Sequence, residues 1–325
     1  MTLPWLVADV GGTNARFGLV TEPGGSPGAV AVLAGKDHDG LPEAVAAYLA
    51  DHAGGVRPGA ACVAIAGPID GDRYRLTNAG WSGSVRDLGI EHVELLNDFE
   101  ALAASLPHLA GDDLVSLGGP EPGYGVKAVL GPGTGMGVAG LVPAAEGWVP
   151  IPCEGGHVTA PVLDERDHQV VRALRAEGMD HVVAEHLLSG PGLSRLHRAL
   201  ALVNGVDAPQ LPPADIVARM DDSLCAETVE VFCGMLGTFA GNVALTLGAR
   251  GGVYLGGGVL PRIVERVRTS DFRRRFEATP TLGDYLAGIA TTLIVAPQPA
   301  LTGAAAWLNQ RLAGASPITS PMEYA

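Results

Sequence analysis

Two short apolar stretches each run into a glycine-rich turn that carries a threonine: Asp9-Val10-Gly11-Gly12-Thr13-Asn14 near the start, and Gly131-Pro132-Gly133-Thr134-Gly135-Met136-Gly137 much later. Glycines let backbone N–H groups approach an anion with no Cβ in the way, and a neighbouring hydroxyl adds a donor, so the pair predicts two walls of one phosphate site. Asp9, at the end of the first stretch, is placed to hold Mg²⁺ directly or through water. An ordinary β-hairpin with glycines supplying positive φ is the plain alternative for that turn. Asn97-Asp98 stands where the apolar run 93–96 stops and a helical stretch begins, a place where α/β sheets offer side chains to a cleft. Asp98 can there accept the proton of a hydroxyl nucleophile as a phosphoryl group arrives; it is equally an N-cap for the helix that follows.

Glu154-Gly155-Gly156-His157 has the spacing of an E-x-x-H metal motif. That motif needs a helix to bring its ligands onto one face, and paired glycines after Pro152 predict a loop instead. Glu154 and His157, joined by Glu185 in Ala184-Glu185-His186, suit hydrogen bonds to a neutral polyol, whose many hydroxyls require many partners. Further on, Gly251-Gly252-Val253-Tyr254-Leu255-Gly256-Gly257-Gly258 is a strand with glycines at both ends. The flat backbone after it can lie against an adenine or ribose, or the strand is simply buried between tight turns.

The elements that must position these residues read as a strand at 4–10, a second at 15–20 and a third at 29–34, an antiparallel meander. A helix follows at 41–52, then strands at 60–66, 73–77 and 93–96, and a helix at 99–106. The pattern restarts from 114, with strands at 127–130, 137–142 and 148–151 and helices at 165–177, 181–188, 192–204 and 222–247. A strand at 252–255, another at 292–295 and a helix at 301–312 close the chain; 316–325 reads as a loose tail. Strand meander followed by helix–strand alternation thus occurs twice, in element order though not in residue identity.

Composition narrows the classes. The 325 residues suit one large domain or two lobes around a cleft, and 47% hydrophobic with 5% aromatic residues predicts an aliphatic α/β core. A net charge of −14 excludes a nucleic-acid partner. The trio Arg273-Arg274-Arg275, flanked by Asp271 and Glu277, reads as a solvated helix face rather than an anion site. Lys36 and Lys127 are the only lysines, and neither sits in a Walker-type loop. Cys62, Cys153, Cys225 and Cys233 have no C-x-x-C spacing, so reduced thiols in a cytoplasm are expected, without a zinc site. The first residues carry no secretory signal. Of two uncharged stretches, 128–145 has too many glycines and prolines to span a membrane. The other, 231–249, is expected as a helix buried in a core or subunit interface, so no membrane partner is predicted.

In order along the chain, these segments resemble the bacterial glucokinase family, within the hexokinase and actin superfamily. The likeness rests on Leu6-Val7-Ala8-Asp9-Val10-Gly11-Gly12-Thr13-Asn14-Ala15-Arg16, Ala64-Ile65-Ala66-Gly67-Pro68-Ile69 with Thr77-Asn78, and Leu96-Asn97-Asp98-Phe99. It continues through Gly131 to Gly137, Glu154 to His157, Leu188-Ser189-Gly190-Pro191-Gly192-Leu193 and Gly251 to Arg262. The resemblance implies an α/β, two-lobed ribonuclease-H-like (actin-like ATPase) fold with an interlobe cleft. It implies a small lobe of residues 1–109 plus 299–325, to which the C-terminal helix returns, and a large lobe of residues 110–298. It further implies transfer of the ATP γ-phosphoryl group to the 6-hydroxyl of glucose, with Mg²⁺, in a homodimer whose interface the apolar helix from Val231 would suit. Asp98 would be the general base; Asn97, Glu154, His157, Glu185 and Asn78 would bind the sugar. Ala8, Asp9, Val10, Gly11, Gly12, Thr13, Gly133, Thr134 and Gly135 would hold the phosphates, with Gly256 and Gly257 facing the adenosine. Cys153 stands where the family is expected to have glycine, either sensitive to thiol reagents or simply packed. A kinase for mannose, fructose or another neutral hexose, a polyphosphate-using kinase and an actin-like ATPase without a sugar substrate are the alternatives.

Overall fold

The structure, a computed structural model, describes residues 1–76 and 80–314. Thr77 and Asn78 of the sequence reading, and the tail 316–325, lie outside the described residues. The chain divides into two units: residues 1–108 with 144–149 and the segment from 298 onward, and residues 109–143 with 150–297.

In the first unit β1 (Trp5–Val10), β2 (Asn14–Val20) and β3 (Gly28–Ala34) form an antiparallel meander. After α1 (Leu41–Asp51), strands β4 (Ala60–Ile65) and β8 (Val93–Asn97) add in parallel, giving the order β3-β2-β1-β4-β8. Short strands β5 (Ile69–Asp70), β6 (Arg73–Arg75) and β7 (Ser82–Ser84) make a separate small sheet. Alternation along the buried strands divides the core into two. Leu6, Ala8, Val10, Ala61, Val63 and Ile65 pack with Leu41, Val45 and Tyr48 of α1. Trp5, Val7, Ala60, Cys62 and Ala64 face the other way, onto Ala101 of α2 (Asp98–Ser105) and Leu301, Ala304 and Leu308 of α11 (Pro299–Gly314). Gly303 lets the two helices meet: a Cβ there would stand 1.7 Å from the Ala101 carbonyl oxygen.

The second unit repeats the succession. β10 (Lys127–Pro132), β11 (Met136–Ala144) and β12 (Gly147–Cys153) are neighbours in sequence order. β13 (Gly252–Leu255) and β14 (Thr291–Ile294) then add in parallel to β10, and β9 (Leu114–Gly118) closes the sheet antiparallel to β14. Helices α3 (Glu165–Ala176), α4 (Ala184–Leu187), α5 (Gly190–Asn204), α6 (Pro213–Ala218) and α7 (Ser223–Leu247) precede β13. Between β13 and β14 stand α8 (Val264–Thr269), α9 (Phe272–Phe276) and α10 (Gly283–Ala287). One apolar core runs from Leu130 and Val138 through Leu196 and Phe232 to Phe272.

By length and composition α7 could cross a membrane, yet 67% of its most apolar stretch is buried inside the protein. Asp222 caps it, accepting from the Leu224 and Cys225 N–H groups at 2.9 Å each. Gly234, Gly237 and Gly241 form a bare stripe on which α9 lies: a Cβ on Gly237 would come within 2.1 Å of the Phe272 carbonyl oxygen, and one on Gly241 within 2.5 Å of that of Phe276. Much of the cover for this helix therefore comes from its own unit.

The arginine trio corrects the sequence reading, because only Arg274 lies on a solvated face, paired with Asp271. Arg275 is 5% exposed; it donates to the fully buried Asp167, to Asp164 at 3.3 Å and to Thr238 at 3.0 Å. Arg273 donates to the carbonyls of Ile289 at 2.9 Å and Ala287 at 3.0 Å. Arg273 also pairs with Glu277 four residues on, at 2.6 Å, but the carbonyls it meets and the partners of Arg275 are far off in sequence, where periodicity could not reveal them. The helix expected at 181–188 shrinks to Ala184–Leu187, because the residues before it pair with the Val158 to Ala160 segment: Ala184 N–H donates to Val158 O at 2.9 Å and Ala160 N–H to Val182 O at 3.0 Å. β5, β7, α6, α8, α9 and α10 were too short to show a period.

Candidate active site

On the first unit, β1, β4 and β8 end level: Val10 stands opposite Ile65, and Ile65 opposite Asn97. The turn 11–13 and Asp98 therefore leave the same carboxyl edge of one sheet, two strand spacings or about 10 Å apart. That edge is where α/β sheets bind ligands. Asp9 follows Trp5 and Val7 in the alternation and points to the α2 face; its carboxylate accepts from Arg16 at 3.2 Å and is 20% exposed. Burial pushes the Asp9 carboxyl above its ordinary value, with Arg16 opposing the shift.

Asn97, not Asp98, caps α2. Its Oδ1 accepts from the Phe99 N–H at 2.9 Å, while its own N–H donates to Glu100 at 2.9 Å, a reciprocal capping box. Asp98 occupies the first helical position, half-buried, and also accepts from the Phe99 N–H at 3.0 Å. The cap thus fixes where the Asp98 carboxylate begins. Ala8 and Val10 are wholly buried, so only their backbone is available to a ligand.

The turns themselves are three residues long, 11–13 and 133–135. None of Gly11, Gly12, Gly133 and Gly135 has a positive φ, so the hairpin explanation for these glycines fails. A Cβ on Gly133 would meet nothing within 4 Å, and one on Gly11 only an ordinary contact at 3.5 Å. Packing within the protein therefore demands glycine at neither position. Thr13 and Thr134 are both exposed.

On the second unit the turn 133–135 is gripped from below. Gly190 N–H donates to the Gly133 carbonyl at 2.8 Å, and Glu185 Oε2 accepts from the Met136 N–H at 2.9 Å. Ser189 Oγ donates to the Glu185 carbonyl at 2.8 Å and accepts from the Gly192 N–H at 3.0 Å, capping α5. Glu154 and His157 flank a single 3₁₀ turn over Gly155–His157 where the sequence predicts a loop; both side chains are exposed, 3.9 Å apart. The Thr159–Val183 bridge brings this turn next to α4 and so to Glu185. His186 is held below the ordinary imidazole range, chiefly by burial and then by Arg195. Cys153 is exposed, its Sγ donating to the Val138 carbonyl at 3.2 Å.

The parallel pair β10 and β13 also ends level, Leu130 opposite Leu255. Gly256 is buried and its N–H donates to the Leu130 carbonyl at 2.9 Å. Gly257, exposed, has φ 85° and sits against Pro132. A Cβ on Gly258 would meet nothing within 4 Å. Sequence reasoning assigned no role to Arg16, Met136, Gly156, Ser189 or Gly190. The Ser-Gly-Pro-Gly string carried an N-cap signal for the last two; backbone contacts of Met136 left none.

Among the described residues no three His, Cys, Asp or Glu side chains are grouped to hold a metal. Asp9 commits Oδ2 to Arg16, and an indirect hold fits Mg²⁺, which keeps water and phosphate oxygens as its other ligands.

These are the units and edges of the actin-like ATPase fold as sugar kinases carry it. A glucokinase from an Antarctic psychrotroph superposes with a TM-score of 0.86 at 35% identity, covering 95% of this chain and 99% of that one. A Streptomyces griseus glucokinase solved with glucose and AMPPNP shares the fold at 18% identity and a TM-score of 0.61, over 93% of this chain and 98% of its own. The family model for glucokinase matches residues 6–311. Glucokinases of Saccharophagus degradans and Paramagnetospirillum magneticum are 46% and 48% identical, over 94% and 92% of this chain and 98% and 96% of theirs. The chain belongs to the glucokinase family.

Proposed function

We propose that this protein transfers the γ-phosphoryl group of ATP to the 6-hydroxyl of glucose, the first step of glycolysis, with Asp98 as general base. The observation that carries the reading is the shared carboxyl edge: a glycine turn the fold does not require and a carboxylate at a capped helix start leave the same sheet. Family membership supplies the sugar and the nucleotide.

Asp98 takes the proton of the 6-hydroxyl as that oxygen attacks phosphorus in line with the departing ADP oxygen. Asn97, Asn78, Glu154, His157 and Glu185 bind the sugar hydroxyls. Backbone donors of 8–13 and 133–135, with the Thr13 and Thr134 hydroxyls, hold the phosphates in place of a lysine; Gly257 faces the adenosine, with Gly258 beside it. Mg²⁺ supplies positive charge on the phosphates when bound, and Asp9 would hold it, through water. A cytoplasmic homodimer without nucleic-acid or membrane partners belongs to the same reading, and a solution mass of twice 33.2 kDa by light scattering checks the dimer.

Coupled ADP release across glucose, mannose, fructose and no sugar, with polyphosphate as a second donor, tests the activity. Strict dependence on glucose and ATP is expected. Equal turnover without sugar would leave only an ATPase, and preference for another hexose or for polyphosphate would replace the substrate or donor.

A further inference from the structure

Both sugar-side elements of the second unit rest on one residue of its phosphate-side turn. The N–H of Met136 is held by Glu185 Oε2 at 2.9 Å. The carbonyl of Met136 lies against the 3₁₀ turn that carries Glu154 and His157, so close that a Cβ on Gly156 would come within 2.1 Å of its oxygen. Gly135, just before it, has the same restriction from the other side: a Cβ there would stand 2.4 Å from Glu185 Oε2. With Gly190 N–H on the Gly133 carbonyl at 2.8 Å, the segment 185–190 grips the turn at both ends. A carboxylate has two oxygens, and committing Oε2 to the turn orients Oε1 to accept from a hydroxyl.

We infer that the turn 133–136 is a positioning element for the sugar: Gly135 and Gly156, by being glycine, and Met136, by its peptide groups, set where Glu185, Glu154 and His157 stand. This rests on the glucose-kinase reading above. Because the same turn is assigned to the phosphates, sugar and nucleotide affinities are linked, each changing the other by the same factor.

The test is glucose binding by calorimetry on the whole chain without nucleotide. Gly135→Ala, whose methyl displaces the Glu185 carboxylate, raises the glucose Kd at least tenfold. Gly133→Ala, whose methyl meets open space in the same turn, keeps the wild-type glucose Kd whatever it does to turnover. In a Glu185→Asp background the shorter side chain has already withdrawn from Gly135, and adding Gly135→Ala raises Kd less than twofold further. That pair carries the test if the single Gly135→Ala chain does not fold. Wild-type affinity in Gly135→Ala, equal losses in both alanine variants, or full additivity in the Glu185→Asp background overturns the inference while wild-type binding still upholds the reading. A wild type that binds no glucose removes the reading and the inference together.

Discussion

The two units share a strand succession, a meander followed by parallel strands, and a three-residue glycine turn between the first two strands of each meander. They differ in what stands around the turn. In the first unit the acids come from the strands and their ends, Asp9 within β1 and Asp98 directly after β8. In the second, the acids come from a 3₁₀ turn and a short helix, and one of them, Glu185, is bonded to the turn itself. Repetition of topology thus leaves the acids free to differ: on one edge they belong to the strands and their ends, on the other to short turns packed against the glycine turn itself.

The largest effect tests a difference in how the units are held. All ion pairs described in the first unit are partly solvated, whereas Arg275 and Asp167 in the second are 4% and 0% exposed. Arg275→Met strands a buried carboxylate and costs about 3–5 kcal/mol, read from urea unfolding. Adding Asp167→Asn recovers part of this; a loss under 1 kcal/mol would make the pair no more than a surface one.

Asp98→Asn keeps the helix start and removes the base, lowering kcat by more than about 10²-fold, or roughly 2.7 kcal/mol, with little change in glucose Kd. Near wild-type kcat would take proton transfer away from this edge. Gly131→Ala brings a Cβ within 2.7 Å of the Gly256 carbonyl carbon and wedges β10 from β13. It costs about 1–3 kcal/mol, and a wild-type melting temperature would show the strand ends to be looser than described.

Asn97→Ala removes the cap of α2 and costs about 1 kcal/mol. If Asn97 also binds sugar, glucose Kd rises beyond what unfolding explains. The smallest effect concerns Asp9. Burial holds its carboxyl above 3.8, so the folded chain binds that proton more tightly than the unfolded one. Its stabilising contribution is therefore intact below 3.8 and lost as pH rises through the folded value. Asp9→Asn, which cannot ionise, gains on wild type as pH rises above 3.8 and through the folded value. Urea midpoints that keep a constant difference would show a carboxylate with no need of a cation.

Much of this was legible in the amino-acid order. Long elements with a clear period, such as β1, α1 and α7, could be read directly, and so could the motifs that place Asp98 and the two turns. What escaped had no local signature. Asn97 and Asp98 are both good caps by residue type, and only the backbone decides between them. Arg273 and Arg275 look solvated beside Asp271 and Glu277, because apart from the Arg273–Glu277 pair the groups that hold them lie many residues away. The glycines in the turns were read for close approach to an anion, whereas Gly135 also leaves the room that Glu185 takes.

Among the described helices α11 comes last, and with Ala101 of α2 it covers the face formed by Trp5, Val7, Ala60, Cys62 and Ala64. On the ribosome, that face is synthesised long before α11 and waits with only α2 against it until that helix emerges. The second unit's sequence from 150 to 297 is uninterrupted and can settle earlier. The first unit to emerge is therefore the last to finish, and a chain stopped before Pro299 presents its aliphatic face to whatever chaperone or neighbour it meets.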